Sequence, residues 1–271
     1  MSVNNLGLVC LRWNHKTSSC DKTTSVWQVV GKQGAHFLAK MSVDVDGSPR
    51  AYHPRDKQST IKPRDNQAKA FDWTENIKVS DLFGIQGTDA VGPAPGFYVS
   101  ATSLKNLAVT NTKDASRYVD AGIVPYIVLP LSSFPVPPGM GLPLGCIAFV
   151  VDRTTGRSSG AIFADVGNSV GEVSIALAMR LGLRPFYSDC YPKVSGYDEE
   201  KFDERFFYLV FPEYLVDPPW AEAAIQTHAR SLFDAWGGEA QLKTLYPGTH
   251  ALLPSDPVSL PPSPDQPAPA I

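Results

Sequence analysis

Asp165 and Glu172 flank one short loop in the stretch Gly160-Ala-Ile-Phe-Ala-Asp-Val-Gly-Asn-Ser-Val-Gly-Glu-Val-Ser-Ile-Ala-Leu-Ala-Met-Arg-Leu-Gly182. Two carboxylates that converge on a cleft can hydrolyse a glycosidic bond. One protonates the leaving oxygen while the other activates water or attacks. A structural reading stands beside this one and, on spacing alone, is the commoner. Ser169-Val-Gly-Glu172 has the form of a capping box, in which Glu172 reaches back to the cap residue's N–H. Asp165 would then simply close a turn on nearby backbone. A second acidic pair, Asp44 and Asp46, shares one face of the chain if its strand persists. A calcium loop needs further oxygen ligands at fixed spacing and a later Glu. Those are missing here, so neither a metal nor another cofactor is expected.

Each carboxylate needs an element to hold it. Cys146-Ile-Ala-Phe-Val-Val-Asp152, the turn Thr154-Thr-Gly-Arg157 and the run from Ser159 to Asp165 predict a hairpin that delivers Asp165. Val166-Gly-Asn168-Ser is turn chemistry, because Gly and Asn tolerate positive φ. From about Val170, the apolar residues Val173, Ala176, Leu177 and Leu181 recur at helical spacing, with Gly182 as the stop. This spacing places Glu172 in a first helical turn. Further strands are predicted at Ser25–Val30, Ala35–Asp44, Phe97–Ser103, Pro125–Pro130 and Phe206–Phe211. A later helix begins near Pro219 and ends at Gly237-Gly238, with Ala224, Ile225, His228, Leu232, Phe233 and Trp236 on its apolar face. His228 is expected to be a buried structural histidine on that face. Residues 184–190 and 196–203 read as connections.

The expected fold is mainly β (α+β). It is a β-barrel, double-psi-like by analogy, with a short helix after the Asp165 loop and a C-terminal helix. The expected organisation is a loose N-terminal arm over residues 1–25, free to pair at a sheet edge, and a barrel domain over 26–216. A helix over 217–246 packs on it, followed by a proline-rich disordered tail over 247–271.

The segment around Asp165 and Glu172 resembles the signature of the fungal-type chitosanases, glycoside hydrolase family 75, and their bacterial relatives. Three other stretches resemble that family in the same order: Met41-Ser-Val-Asp-Val-Asp-Gly-Ser-Pro-Arg-Ala-Tyr-His-Pro54, Gly96-Phe-Tyr-Val-Ser-Ala-Thr-Ser-Leu104 and Tyr118-Val-Asp-Ala-Gly-Ile-Val-Pro-Tyr-Ile-Val-Leu-Pro130. The resemblance covers roughly residues 35 to 212. It implies cleavage of a β-1,4-linked amino-sugar polymer with inversion, with Asp165 and Glu172 as the catalytic pair. It also implies that the loop after residue 43 lines the sugar cleft, with Asp44, Asp46, Tyr52 and His53 as contacts and Asn168 across from them. Phe71 and Trp73 offer a stacking platform for pyranose rings, although a Trp that anchors a surface loop to the core is the more usual case. Two rival readings are a peptidoglycan hydrolase or lytic transglycosylase, exported as an antibacterial effector, and a carbohydrate-binding module without activity.

The 271 residues carry a net charge of −3, with no basic stripe, so nucleic acid is not an expected partner. The expected partner is a polysaccharide. No run approaches the length of a membrane span, and oligomeric state is not legible. The start of the chain lacks a basic leader with an apolar core; localisation is not legible, and export by a route that reads no cleaved leader is one of the readings left open. There is no G-x-S-x-G, no H-E-x-x-H and no G-x-G-x-x-G, so serine hydrolase, zinc hydrolase and dinucleotide readings are disfavoured. The four cysteines Cys10, Cys20, Cys146 and Cys190 are too few for a disulfide scaffold. A Cys10–Cys20 bridge and reduced thiols both remain open at this point.

Overall fold

A computed structural model describes residues 2–52, 82–86, 92–183, 186–188, 191–194 and 199–253, with backbone only for 186–188 and 191–194. His53, Phe71, Trp73 and the proline-rich stretch from 254 lie outside the described residues.

The molecule is built on one mixed sheet of nine strands in the order β1-β2-β3-β13-β8-β9-β7-β10-β4. In chain order the strands are β1 (Val3–Asn14), β2 (Ser19–Val29), β3 (Ala35–Ala39), β4 (Ser42–Asp44), β7 (Tyr126–Leu129), β8 (Cys146–Asp152), β9 (Ser158–Val166), β10 (Glu172–Ser174) and β13 (Phe206–Leu215). Two small pairs stand apart, β5 (Leu82–Ile85) with β6 (Tyr98–Ser100) and β11 (Phe186–Ser188) with β12 (Tyr191–Val194). The last pair replaces the plain connection expected over 184–190. The described residues hold three α-helices: α1 (Ile175–Arg180) directly after β10, and α2 (Glu222–Trp236) and α3 (Gly238–Leu245) after β13.

Strand β13 lies inside the sheet, between β3 and β8 and antiparallel to both. Its unbroken apolar run Phe-Phe-Tyr-Leu-Val-Phe is what a strand covered on both faces requires. Phe206, Tyr208 and Val210 join the large core shared by β1, β2, β3, β7, β8, β9 and α1. Phe207, Leu209 and Phe211 face Phe233, Trp236 and Leu242 of α2 and α3. At the hairpin between β8 and β9, Arg205 grips the buried Asp152 carboxylate through two hydrogen bonds of 3.0 and 2.7 Å.

Three expectations change. The sheet is not a closed barrel, because no ladder joins its edge strands β1 and β4 among the described residues. A single bridge spans part of the gap: the Val170 N–H donates to the Cys10 carbonyl at 2.8 Å. Residues 3–14, the arm expected to pair at an edge, form the outer strand of a long hairpin with β2, tied by a Cys10–Cys20 disulfide with Cα atoms 5.7 Å apart. The C-terminal helix is two helices, because Gly237 at φ 128° and Gly238 at φ 59° turn the chain between α2 and α3. Finally, His228 is exposed, and α2 buries Ile225, Ala229, Phe233 and Trp236 instead.

Candidate active site

Asp165 sits near the end of β9, where that strand runs parallel to β7. Strict alternation would send it to the same side as Phe163, into the large core. A bulge prevents this: Ile127 pairs with Phe163, and the next residue, Val128, pairs with Asp165, so Ala164 is passed over. Bulges re-aim side chains in this way. Asp165 therefore stands on the face of Val128 and Tyr126, which pack in a cluster separate from the large core.

Val128 is also the register partner of Glu172, from the other side. Asp165 and Glu172 thus flank one residue of β7 on one face, with Cα atoms two strand spacings, roughly 10 Å, apart. Glu172 lies on β10 and is half-buried, not in a helical turn. Helix α1 begins only at Ile175, capped by Ser174, whose Oγ accepts from the Leu177 N–H at 3.1 Å and from the Tyr126 N–H at 2.9 Å. The expected helix stop at Gly182 holds, with φ 74° and the Gly182 and Leu183 N–H groups on the Met179 and Ala178 carbonyls. The β-branched Val173 and the pairing with Ser42 and Val128 keep residue 172 extended.

Strand β4 brings the second acidic pair. It runs parallel to β10, so Asp44 pairs with Ser174. The turn that follows places Asp46 beside it, with the Asp46 N–H on the Asp44 carboxylate at 2.9 Å. Gly47 makes that turn possible: at φ 80°, a Cβ would stand 1.9 Å from the Val119 carbonyl oxygen. Carboxylate oxygens of Asp44, Asp46 and Asp165 all lie within 4.8 Å of one another. The charge of Glu172 acts on both Asp44 and Asp46.

Hydroxyls and backbone N–H groups surround this cluster. Tyr52 and Ser100 donate to one oxygen of Asp46, at 2.8 and 2.9 Å. The Asp165 Oδ1 accepts from the Ser103 N–H at 2.8 Å, the Ser103 hydroxyl at 2.5 Å and the Val166 N–H at 2.9 Å. Tyr126 donates to the Asp46 carbonyl at 2.9 Å. Burial, with the charges of Asp46, Glu172 and Asp165 added, holds the Asp44 carboxyl well above the usual carboxylate range. Burial and the Asp165 charge push Asp46 up to about 7, against the pull of the Tyr52 and Ser100 hydroxyls. Carboxyls this close cannot all ionise, so the cluster keeps a proton near neutral pH.

The structure brings together Asp165, Glu172, Asp44, Asp46 and Tyr52 of the residues expected from sequence. Tyr52 is buried and serves Asp46 through its hydroxyl rather than presenting a ring to solvent. Asn168 is exposed at the tip of the loop, and His53 lies outside the described residues. Ser100, Ser103 and Tyr126 were not expected. All three fall inside the stretches 96–104 and 118–130 already marked by the resemblance, which is the signal that could have found them. Three carboxylates within reach of one another also have the chemistry to ligate a hard cation. No protein-family model matches the chain, and the search among curated proteins found no match.

Proposed function

We propose that the protein is a glycoside hydrolase that cleaves a β-1,4-linked amino-sugar polymer by carboxylate acid/base catalysis. The observation that carries this reading is the register of β9, β7 and β10, which sets Asp165 and Glu172 on one face either side of Val128. Asp44 and Asp46 crowd the same place and keep a proton available near neutral pH. An acid and a base held a substrate's width apart are what inverting hydrolysis needs, with carboxyl groups roughly 6.5–9.5 Å apart to admit a water. Asp165 and Glu172 are that pair in this reading. One protonates the leaving glycosidic oxygen, and the other takes a proton from the attacking water. The resemblance of four ordered stretches to the family 75 chitosanases supports chitosan as the polymer. A polymer carrying ammonium groups also suits a site walled by four carboxyls.

The shared proton favours one rival, a lytic transglycosylase on peptidoglycan. There a single protonated carboxyl suffices, because the sugar's own hydroxyl is the nucleophile.

The test is product release from soluble chitosan and from purified peptidoglycan, with wild type, Asp165→Asn and Glu172→Gln. Chitosan oligomers that both variants lose, by about 100-fold or more, support the proposal. Muropeptides released in their place move the function to the cell wall. Cleavage that survives in both variants, or none by the wild type, overturns the assignment.

A further inference from the structure

Strand β6 belongs to the stretch from Gly96 to Leu104 that its sequence singled out, and it carries an aromatic ring that the mechanism above leaves unused. Ser100, at the end of β6, donates its hydroxyl to Asp46. Side chains two apart on a strand share a face, so Tyr98 stands on the face of Ser100, roughly 7 Å back along the strand. The ladder with β5 supports that alternation. Tyr98 pairs with Ile85 and Ser100 with Leu82, so the extra residue of the register shift falls on β5 and leaves β6 regular. The backbone holds Tyr98 beside the carboxylates. Its N–H donates to the Tyr52 carbonyl at 2.8 Å, and the Tyr52 hydroxyl in turn donates to Asp46. Tyr98 packs against the small apolar cluster of Val45, Ala51, Tyr52 and Ile175, yet it is only half-buried.

Its hydroxyl also sets it apart. Tyr52, Tyr118, Tyr126, Tyr208, Tyr214 and Tyr246 each pair the hydroxyl with another protein group. The hydrogen bonds of Tyr98 to described residues run through its backbone alone, to Tyr52 and from Gln86. A half-exposed ring with an unused hydroxyl, next to a cluster of carboxylates, offers a flat apolar face and a polar tip together. A pyranose presents the matching pair, a face of C–H groups rimmed by hydroxyls.

We propose that Tyr98 forms a binding subsite for one sugar unit of the polymer, beside the bond to be cleaved. The C–H face of the sugar lies on the phenol ring, and the Tyr98 hydroxyl bonds a sugar oxygen. The ring holds substrate and transition state alike, so it contributes to affinity rather than to the chemical step. This inference rests on the hydrolase reading for the identity of the polymer, and its test separates the two.

The full chain would be labelled with 3-fluorotyrosine and titrated with the glucosamine hexamer, followed by 19F NMR. Glu172→Gln serves as the background, so that the hexamer is not consumed, and Tyr98→Phe assigns the Tyr98 signal. That signal is expected to move with added hexamer, further than those of Tyr208 and Tyr246. In parallel, KM and kcat on soluble chitosan would be compared for wild type, Tyr98→Phe and Tyr98→Leu. Phe keeps the ring, whereas Leu keeps apolar packing and loses the flat face. Tyr98→Leu should raise KM by about two- to tenfold and change kcat less, with a smaller rise in Tyr98→Phe. A hexamer that binds without moving the Tyr98 signal overturns the proposal. So does a KM that Tyr98→Leu leaves in place, or one that Phe and Leu raise equally. A Tyr98 signal that moves in a protein whose wild type cuts no chitosan keeps the subsite and sinks the hydrolase reading. A hexamer that is neither bound nor cut overturns both.

Discussion

At the scale of residues, the site is bought with stability, and pH reveals how much. Asp46 holds its proton up to about 7 in the folded chain, whereas the unfolded chain releases it near 3.8. Between these values the folded state binds more protons, so stability falls as pH rises through the window. Asp44 acts in the same direction, and so does Asp120, which burial pushes up to about 6. His36 works in the opposite sense. It is buried among Phe207, Trp236 and Tyr246, and burial lowers it from 6.5 to about 4. Its contribution is intact above 6.5 and is lost as pH falls through 4. The stability maximum should therefore lie on the acid side of neutrality. Asp46→Asn should be more stable than wild type at pH 7.5, by about 1–3 kcal/mol, and close to wild type at pH 4. Urea unfolding at both pH values checks this, and a variant less stable at pH 7.5 contradicts it. The acidic residues of the site were legible in the sequence because carboxylates mark chemistry by type. Ser100, Ser103 and Tyr126 were not, because a hydroxyl declares a role only through the partner beside it.

At the scale of elements, the loop over 167–171 decides where Glu172 points. It is pinned at two places: the Val170 N–H on Cys10, and the Gly171 carbonyl, which accepts from the Ser42 N–H at 2.8 Å. Gly171 has φ 98°, and a Cβ there would meet the Lys40 carbonyl oxygen at 2.7 Å. Gly171→Ala is expected to cost about 2 kcal/mol or more and to lower kcat on the cleaved polymer further than Asn168→Ala does. Equal effects would mean the loop can give way. On the other side of the loop, reducing the Cys10–Cys20 disulfide should remove about 2–3 kcal/mol by the chain-entropy estimate for a ten-residue loop. The change in urea midpoint on adding reductant measures it. Cys146 is buried, and burial pushes its thiol up to about 12, so it should stay unalkylated in the folded chain at pH 8. The strands themselves were plain in the sequence, from apolar runs between Gly and Pro. The bulge at Ala164 and the late start of α1 were not. Periodicity reads Val173, Ala176 and Leu177 as one helical face, while pairing with Val128 and Ser42 holds Glu172 to Ser174 extended.

At the scale of the whole molecule, the mostly β class was readable and the pattern of neighbours was not. The polar N-terminal arm could be read as edge material, but nothing in Phe206–Phe211 says which strands it will separate. That arrangement has a consequence for how the chain comes to be made. Strand β13 is the last to be synthesised and the one that joins β3 to β8. While the chain emerges, β1, β2 and β3 form one ribbon, and β8, β9, β7, β10 and β4 form another, with no ladder between them. Pairing across such distances along the chain is slow, and unpaired strand edges stay exposed meanwhile. A chain ending at residue 205 should therefore be cut rapidly by protease, whereas one ending at residue 253 should resist, as measured by limited proteolysis of the two. Every carboxylate of the site is translated before residue 206, on or beside the ribbon that β13 then joins to β3.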